Sequence, residues 1–236
     1  MCFRARNRTG RRTAVRNQCP GGALVSPREI PAGSKESSSL AEERGIEQGG
    51  APPDRKHKKG HFMQAQQLSQ RYIVWRLTPA DAKAVLALAA QNEIFYRYHP
   101  PLPTVQSITA DMTALPPGTT MQDKYFVGFF AGDCLVAVMD LILHYPQPDT
   151  AFVGWLITDT TGQGRGRGSA LMQECEAALA AQGCRKMRLA VDKGNPQSIA
   201  FWRKNGYTFT GQEIPNEHGA YLPMEKPLPR PDGWEF

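Results

Sequence analysis

Hydrophobic and polar positions fall into a regular pattern only from about residue 72 onward. Residues 72–77 (Tyr-Ile-Val-Trp-Arg-Leu) are aromatic and β-branched, which predicts a short strand. Thr78-Pro79-Ala80-Asp81 supplies a capping residue and a first-turn proline, and Ala82, Val85, Leu86 and Ala89 then recur at helical spacing, predicting a helix to about residue 91. An aromatic stretch with Phe95, Tyr96, Tyr98 and His99 ends at Pro100-Pro101, where a helix cannot continue. A second helix is predicted over 105–115. Strands follow over 125–130, 135–144 and 151–158, separated by Ala-Gly-Asp and Pro-Gln-Pro-Asp turns short enough to make them a meander. Next come a helix over 165–182 stopped by Gly183, a strand over 185–191, a helix over 196–205, and strands near 207–210 and 221–226. This order predicts an α/β (α+β) fold, with a mixed, mostly antiparallel sheet of about seven strands flanked by about four helices.

Residues 1–62 lack this pattern. They are rich in Arg, Gly, Ser, Pro and Glu and read as a disordered basic tail, because such a composition buries too little apolar surface to offset its ordering entropy. The charge separates in the same place. The first 62 residues hold 13 Lys and Arg against 6 Asp and Glu, leaving 15 basic and 16 acidic residues for 63–236. The six acid-free arginines of residues 1–18 suit an organelle presequence or an interaction tail. An overlong start is preferred, since patterned sequence begins just after Met63. The domain is therefore placed at 63–236.

With its basic excess outside the folded part and no basic stripe within it, the domain is read as not binding nucleic acid. No apolar run approaches membrane-spanning length, so no membrane partner is expected. Five scattered cysteines without a C-x-x-C pair indicate neither a disulfide framework nor a metal site, and a cytoplasmic setting fits best.

The segment that carries chemistry is Trp155-Leu-Ile-Thr-Asp-Thr-Thr-Gly-Gln163-Gly164-Arg165-Gly166-Arg167-Gly168-Ser169, an apolar strand passing through a glycine-rich turn into a helix. Glycines let the backbone approach a phosphate, and the unpaired N–H groups of a helix start carry about half a positive charge. Glycine spacing excludes a P-loop, since no Lys-Ser or Lys-Thr follows, and excludes a G-x-G-x-x-G dinucleotide fingerprint.

Gln163-x-x-Gly166-x-Gly168 resembles the Q/R-x-x-G-x-G/A motif of the GNAT superfamily of N-acetyltransferases, and residues 195–207 (Asn-Pro-Gln-Ser-Ile-Ala-Phe-Trp-Arg-Lys-Asn-Gly-Tyr) resemble that family's Asn-led helix ending in Gly-Phe or Gly-Tyr. The two stand in the family's order, and the resemblance spans about residues 70–227. It implies an acetyl-CoA-dependent acyltransferase whose sheet splays at the cofactor. Backbone groups of Leu156, Ile157 and Thr158 would pair with the pantetheine arm. The N–H groups of Gly164, Arg165, Gly166, Arg167, Gly168 and Ser169 would hold the pyrophosphate, Gln163 at the head of the motif belongs with these cofactor-binding residues, and Asn195 would reach the pantetheine or the acceptor side of the cofactor. No metal is implied.

The implied reaction is direct attack of a primary amine, of a small molecule or a peptide, on the thioester in a ternary complex. Many relatives place a tyrosine acid where Trp202 stands, and an indole N–H is not a useful acid, which keeps a non-catalytic acyl-CoA sensor as the alternative. Tyr207 and Tyr145 are substitute acids. The catalytic base is unassigned; Asp140, a lone carboxylate in the run Val136-Ala-Val-Met-Asp140-Leu-Ile-Leu143, is a candidate that alternation could equally turn toward a structural partner, and His144 is a second. Tyr96, Tyr98 and His99 would wall the acceptor cleft. A homodimer is left open.

Overall fold

The computed structural model describes residues 63–229. The readings made for residues 1–62 lie outside the described residues. A 3-10 turn at Ala65–Leu68 leads into β1 (Ile73–Arg76), and a second turn at Pro79–Asp81 leads into α1 (Ala82–Ala89). Then follow α2 (Glu93–Tyr98), α3 (Val105–Asp111), β2 (Lys124–Ala131), β3 (Cys134–Leu143) and β4 (Thr150–Thr158). The chain continues with α4 (Arg167–Ala181), β5 (Lys186–Asp192), α5 (Pro196–Lys204), β6 (Thr208–Phe209), β7 (Ile214–Asn216) and β8 (Gly219–Pro227).

The eight strands form one sheet in the order β1-β2-β3-β4-β5-β8-β6, with β7 paired to β8. Every pairing is antiparallel except β4 with β5, which are joined by a crossover through α4. The mixed, mostly antiparallel sheet matches the sequence reading. The extra strand is β7, three residues that include a proline and are too short to show alternation. The extra helix is α2, six residues ending just before the Pro100-Pro101 pair. The long helix begins two residues later than expected, because Gly164 and Gly166 take left-handed backbones (φ 74° and 77°) that no helix interior accommodates.

Alternation along the central strands explains why both sheet faces are covered. In β2, Tyr125, Val127 and Phe129 face a core shared with Leu171, Cys175 and Leu179 of α4, while Phe126 and Phe130 face a second core with Val85, Leu88 and Ile108 of α1 and α3. Cys175 is a buried core residue, as its spacing suggests, and burial pushes its thiol up.

Gly128 lies where the second core is tightest. A Cβ there would come within 2.7 Å of Phe130 and 2.9 Å of both Leu77 and Leu135. Gly128→Ala is expected to lower unfolding free energy by about 1–3 kcal/mol through overpacking, measured by urea titration. No helix among the described residues is long and apolar enough to cross a membrane.

Candidate active site

A break in the sheet creates the site. Asp140 lies opposite Trp155 and Leu141 opposite Val153, so Gly154 is an extra residue in β4, a bulge that bends the strand. Pairing of β4 with β5 runs only from Thr150 opposite Lys186 to Val153 opposite Leu189. Past the bulge the two strands part. β4 continues along β3 to Thr158 and β5 continues along β8 to Asp192, leaving one edge of residues 154–158 without a strand partner. Such an edge presents N–H and C=O groups to whatever enters the gap.

The gap opens into a cleft of about 510 Å3, floored by β4 and β5 and walled by the glycine-rich turn, by Ser198, Phe201 and Trp202 of α5, and by Phe95 and His99 near α2. At its phosphate-like end, Ala170 N–H donates to the Gly166 carbonyl at 3.0 Å, the first turn of α4. The N–H groups of residues 164–169 find no acceptor among the described residues. A Cβ on Gly164 or Gly166 would meet open space, so these glycines serve backbone conformation rather than packing.

Buried side chains hold the turn in shape. Asp159 accepts from the Thr161 N–H at 2.8 Å and from its hydroxyl at 2.7 Å, and it ion-pairs with Arg167 at 3.0 Å. The Arg167 guanidinium lies against Gly162, where a Cβ would come within 2.5 Å of it. Gln163 donates to Asn92 Oδ1 at 2.8 Å, and Asn92 in turn donates to the Thr158 and Leu88 carbonyls, each at 3.1 Å. The side chains of Gln163 and Arg167 are thus committed to the protein, and the Thr158 carbonyl is already engaged. What these positions offer the cleft is mainly main chain.

Of the residues picked out from sequence, Leu156, Ile157, Thr158, Gln163, Gly164, Gly166, Arg167, Gly168 and Ser169 line the cleft together. Arg165 is exposed and is not among the lining residues. Asn195 is fully buried at the N-cap of α5, where its Oδ1 accepts from the Ser198 N–H at 3.1 Å, and its Nδ2 has no partner among the described residues.

Asp140 is placed elsewhere. It projects toward the α1–α3 face and pairs with the buried ammonium of Lys124 at 2.9 Å, outside the cleft lining. Burial pushes its carboxyl above the usual range, with the Lys124 charge pulling the other way. His144 sits on the surface, 2.7 Å from Asp123. Alternation along β3 correctly marked Asp140 as a strand-borne polar group, but its side chain faces away from the gap, whereas β3 ends at Leu143 and His144 lies in the following turn with φ 59° rather than on the strand.

The substitute acids fare similarly. Tyr207 is buried, donates to Glu176 at 2.9 Å and has its phenol pushed up by burial and by that carboxylate. Tyr145 packs edge-on against Phe152, its ring 5.5 Å away, and does not line the cleft. Trp202 lines the cleft but is mostly buried between Phe201 and Tyr207.

Sequence reasoning missed a polar pair inside the cleft. His99 Nδ1 lies 3.1 Å from Asp192 Oδ1, both residues line the cleft, and Tyr221 stands beside them with its ring 6.2 Å from the imidazole. His99 was legible only as part of an aromatic wall. Its partner lies 93 residues away at the end of β5, and no local signal joins the two.

Comparison with known proteins agrees with this geometry. The Acetyltransferase (GNAT) family matches residues 90–207. The L-2,4-diaminobutyric acid acetyltransferase of Nocardia farcinica (strain IFM 10152) is 32% identical over 115 residues, 43% of this chain and 55% of that protein, so the chain spans about half the length of this curated relative. Among solved structures, an acetyltransferase from Thermus thermophilus superposes with a TM-score of 0.54 at 23% identity, covering 66% of this chain and 96% of that one. The PaiA N-acetyltransferase of Thermoplasma acidophilum in complex with coenzyme A gives 0.50 at 18% identity, covering 66% and 98%. These likenesses show a shared fold. With a splayed β4–β5 pair, a glycine-built helix start facing the splay and a family match across both, this chain belongs to the GNAT family of acetyltransferases.

Proposed function

We propose that the protein transfers the acetyl group of acetyl-CoA to a primary amine of a small molecule or peptide, by direct attack within a ternary complex. The observation that carries this reading is the splay of β4 from β5, which puts an open strand edge and a run of free N–H groups into one cleft. An amide-bearing arm would add to the edge at Leu156 and Ile157 as a strand does. The N–H groups of Gly164, Arg165, Gly166, Arg167, Gly168 and Ser169 would hold the pyrophosphate against the positive end of α4. Asn195, fully buried and outside the cleft lining, would support the site by capping α5 rather than by touching the cofactor. Acetyl-CoA supplies the activated thioester. The protein supplies alignment of the two reactants and a main-chain donor near Ile157 for the developing oxyanion.

The first amine to try is L-2,4-diaminobutyrate, on the strength of the Nocardia relative; lysine and a short peptide extend the panel. Acetyl-CoA at about 100 times its dissociation constant is expected to stabilise the full chain by about 2.7 kcal/mol in thermal unfolding, and one panel amine is expected to drive thiol release. No shift in midpoint would defeat the reading. The alternative, a non-catalytic acyl-CoA sensor, is favoured by Trp202 at the position of the family's tyrosine; it predicts the thermal shift without thiol release.

A further inference from the structure

We infer that His99 is the general base of the transfer, with Asp192 as its positioning residue; this rests on the acetyltransferase reading. His99 stands directly after α2, and Asp192 ends β5 three residues past Leu189, where pairing with β4 has ceased. Their contact therefore bridges α2 to β5 beyond the point where β5 has left β4. Nδ1 faces the Asp192 carboxylate at 3.1 Å, while Nε2, on the opposite side of the ring, has no partner among the described residues. Asp192 is mostly buried and His99 half-exposed within the cleft lining. A carboxylate on Nδ1 selects the tautomer with a proton there, leaving Nε2 as an acceptor.

The step balances within the proposed reactants. The amine nitrogen bonds to the thioester carbon, Nε2 takes the proton lost from that nitrogen, and the C–S bond breaks with its electron pair going to sulfur. The thiolate is a tolerable leaving group because a thiol ordinarily titrates near ~8.5. The titratable groups around the imidazole are Asp192 from β5, Asp111 from α3 and Tyr221 from β8. Asp140 and His144, the other candidates, lie outside the cleft lining.

The test compares the wild type with His99→Gln and Asp192→Asn in the full chain, reading acetyl-CoA-induced thermal shift and thiol release with the amine panel. His99→Gln is expected to keep the thermal shift, which also certifies its fold, while kcat falls about 10²–10⁴-fold. Asp192→Asn keeps the imidazole but no longer fixes a proton at Nδ1, because the carboxamide NH2 turned toward that nitrogen selects the opposite tautomer. It should lower kcat while leaving the acetyl-CoA thermal shift and the KM for acetyl-CoA unchanged, and Asp192→Glu should restore part of the rate, a pattern that a merely structural contact would not produce. The inference is overturned by kcat within threefold of wild type in His99→Gln, or by an unchanged kcat in Asp192→Asn. It is overturned equally by a wild type that binds acetyl-CoA yet releases no thiol with any amine. A wild type with no thermal shift instead fails the acetyltransferase reading itself.

Discussion

Replacing Lys124 with methionine is expected to remove about 3–5 kcal/mol of stability at neutral pH, because it strands a buried carboxylate. Lys124 is 2% exposed, and its ammonium donates to Asp140 and to the Ala114 carbonyl, each at 2.9 Å. Asp140 Oδ1 already lacks a partner among the described residues, so loss of the ammonium leaves the whole carboxylate without compensation. The double variant Lys124→Met with Asp140→Leu should recover most of the loss, since apolar groups of similar volume carry no desolvation penalty. Urea unfolding of both variants measures the coupling. A single variant as stable as the wild type would mean that Asp140 is neutral or solvated in the folded protein.

The pH dependence follows from the same pair. Burial raises the Asp140 carboxyl in the folded state, so the native protein holds this proton more tightly than the unfolded chain does. Its contribution is fully present below the ordinary carboxylate value of about 3.9 and is lost as pH rises through the raised native value. Without Lys124 the carboxyl rises further. The single variant should therefore lose stability between weakly acidic and neutral pH more steeply than the wild type, approaching about 1.4 kcal/mol per pH unit where one proton is released.

Gly166→Val is expected to abolish the response to acetyl-CoA while leaving a folded protein. Gly166 has φ 77°, its carbonyl accepts the first hydrogen bond of α4, and a side chain there would project into open space. A β-branched residue at that angle costs about 1–2 kcal/mol, a fall of a few degrees in midpoint for a domain of this size. If the backbone instead relaxes to negative φ, the N–H groups around it no longer converge. Either way the stabilisation of about 2.7 kcal/mol from saturating acetyl-CoA, about 5–10 °C, should vanish. Gly183→Val is the control, since Gly183 also has a left-handed backbone (φ 92°) and open space around it, but lies past the far end of α4. It should lower the midpoint comparably and keep the acetyl-CoA shift. If both variants keep the shift, the turn is an ordinary helix start.

The phosphate-like turn and the α5 cap were readable in the sequence because each is local. A glycine able to take positive φ, free N–H groups in the next turn and an Asn three residues before the N–H it caps are all set by short spacing. The strands of the meander and the long helix were readable for the same reason, since one side-chain period decides which face is buried. Short elements such as α2 and β7 hold less than one informative period and were not separable from loops.

Sequence by itself therefore determined the sheet-and-helix order, the cofactor-like turn and the family resemblance. Tertiary structure alone decided that Gly154 bulges and opens β4 from β5, that Lys124 claims Asp140, that Asp159 and Asn92 hold the side chains of Arg167 and Gln163, and that His99 meets Asp192 in the cleft. Each of these depends on the register between segments distant in the chain or on packing across the sheet. A shift of one residue in a strand would turn Lys124, Asp140 or Asp192 to the other face, and no pattern within a single segment records that choice.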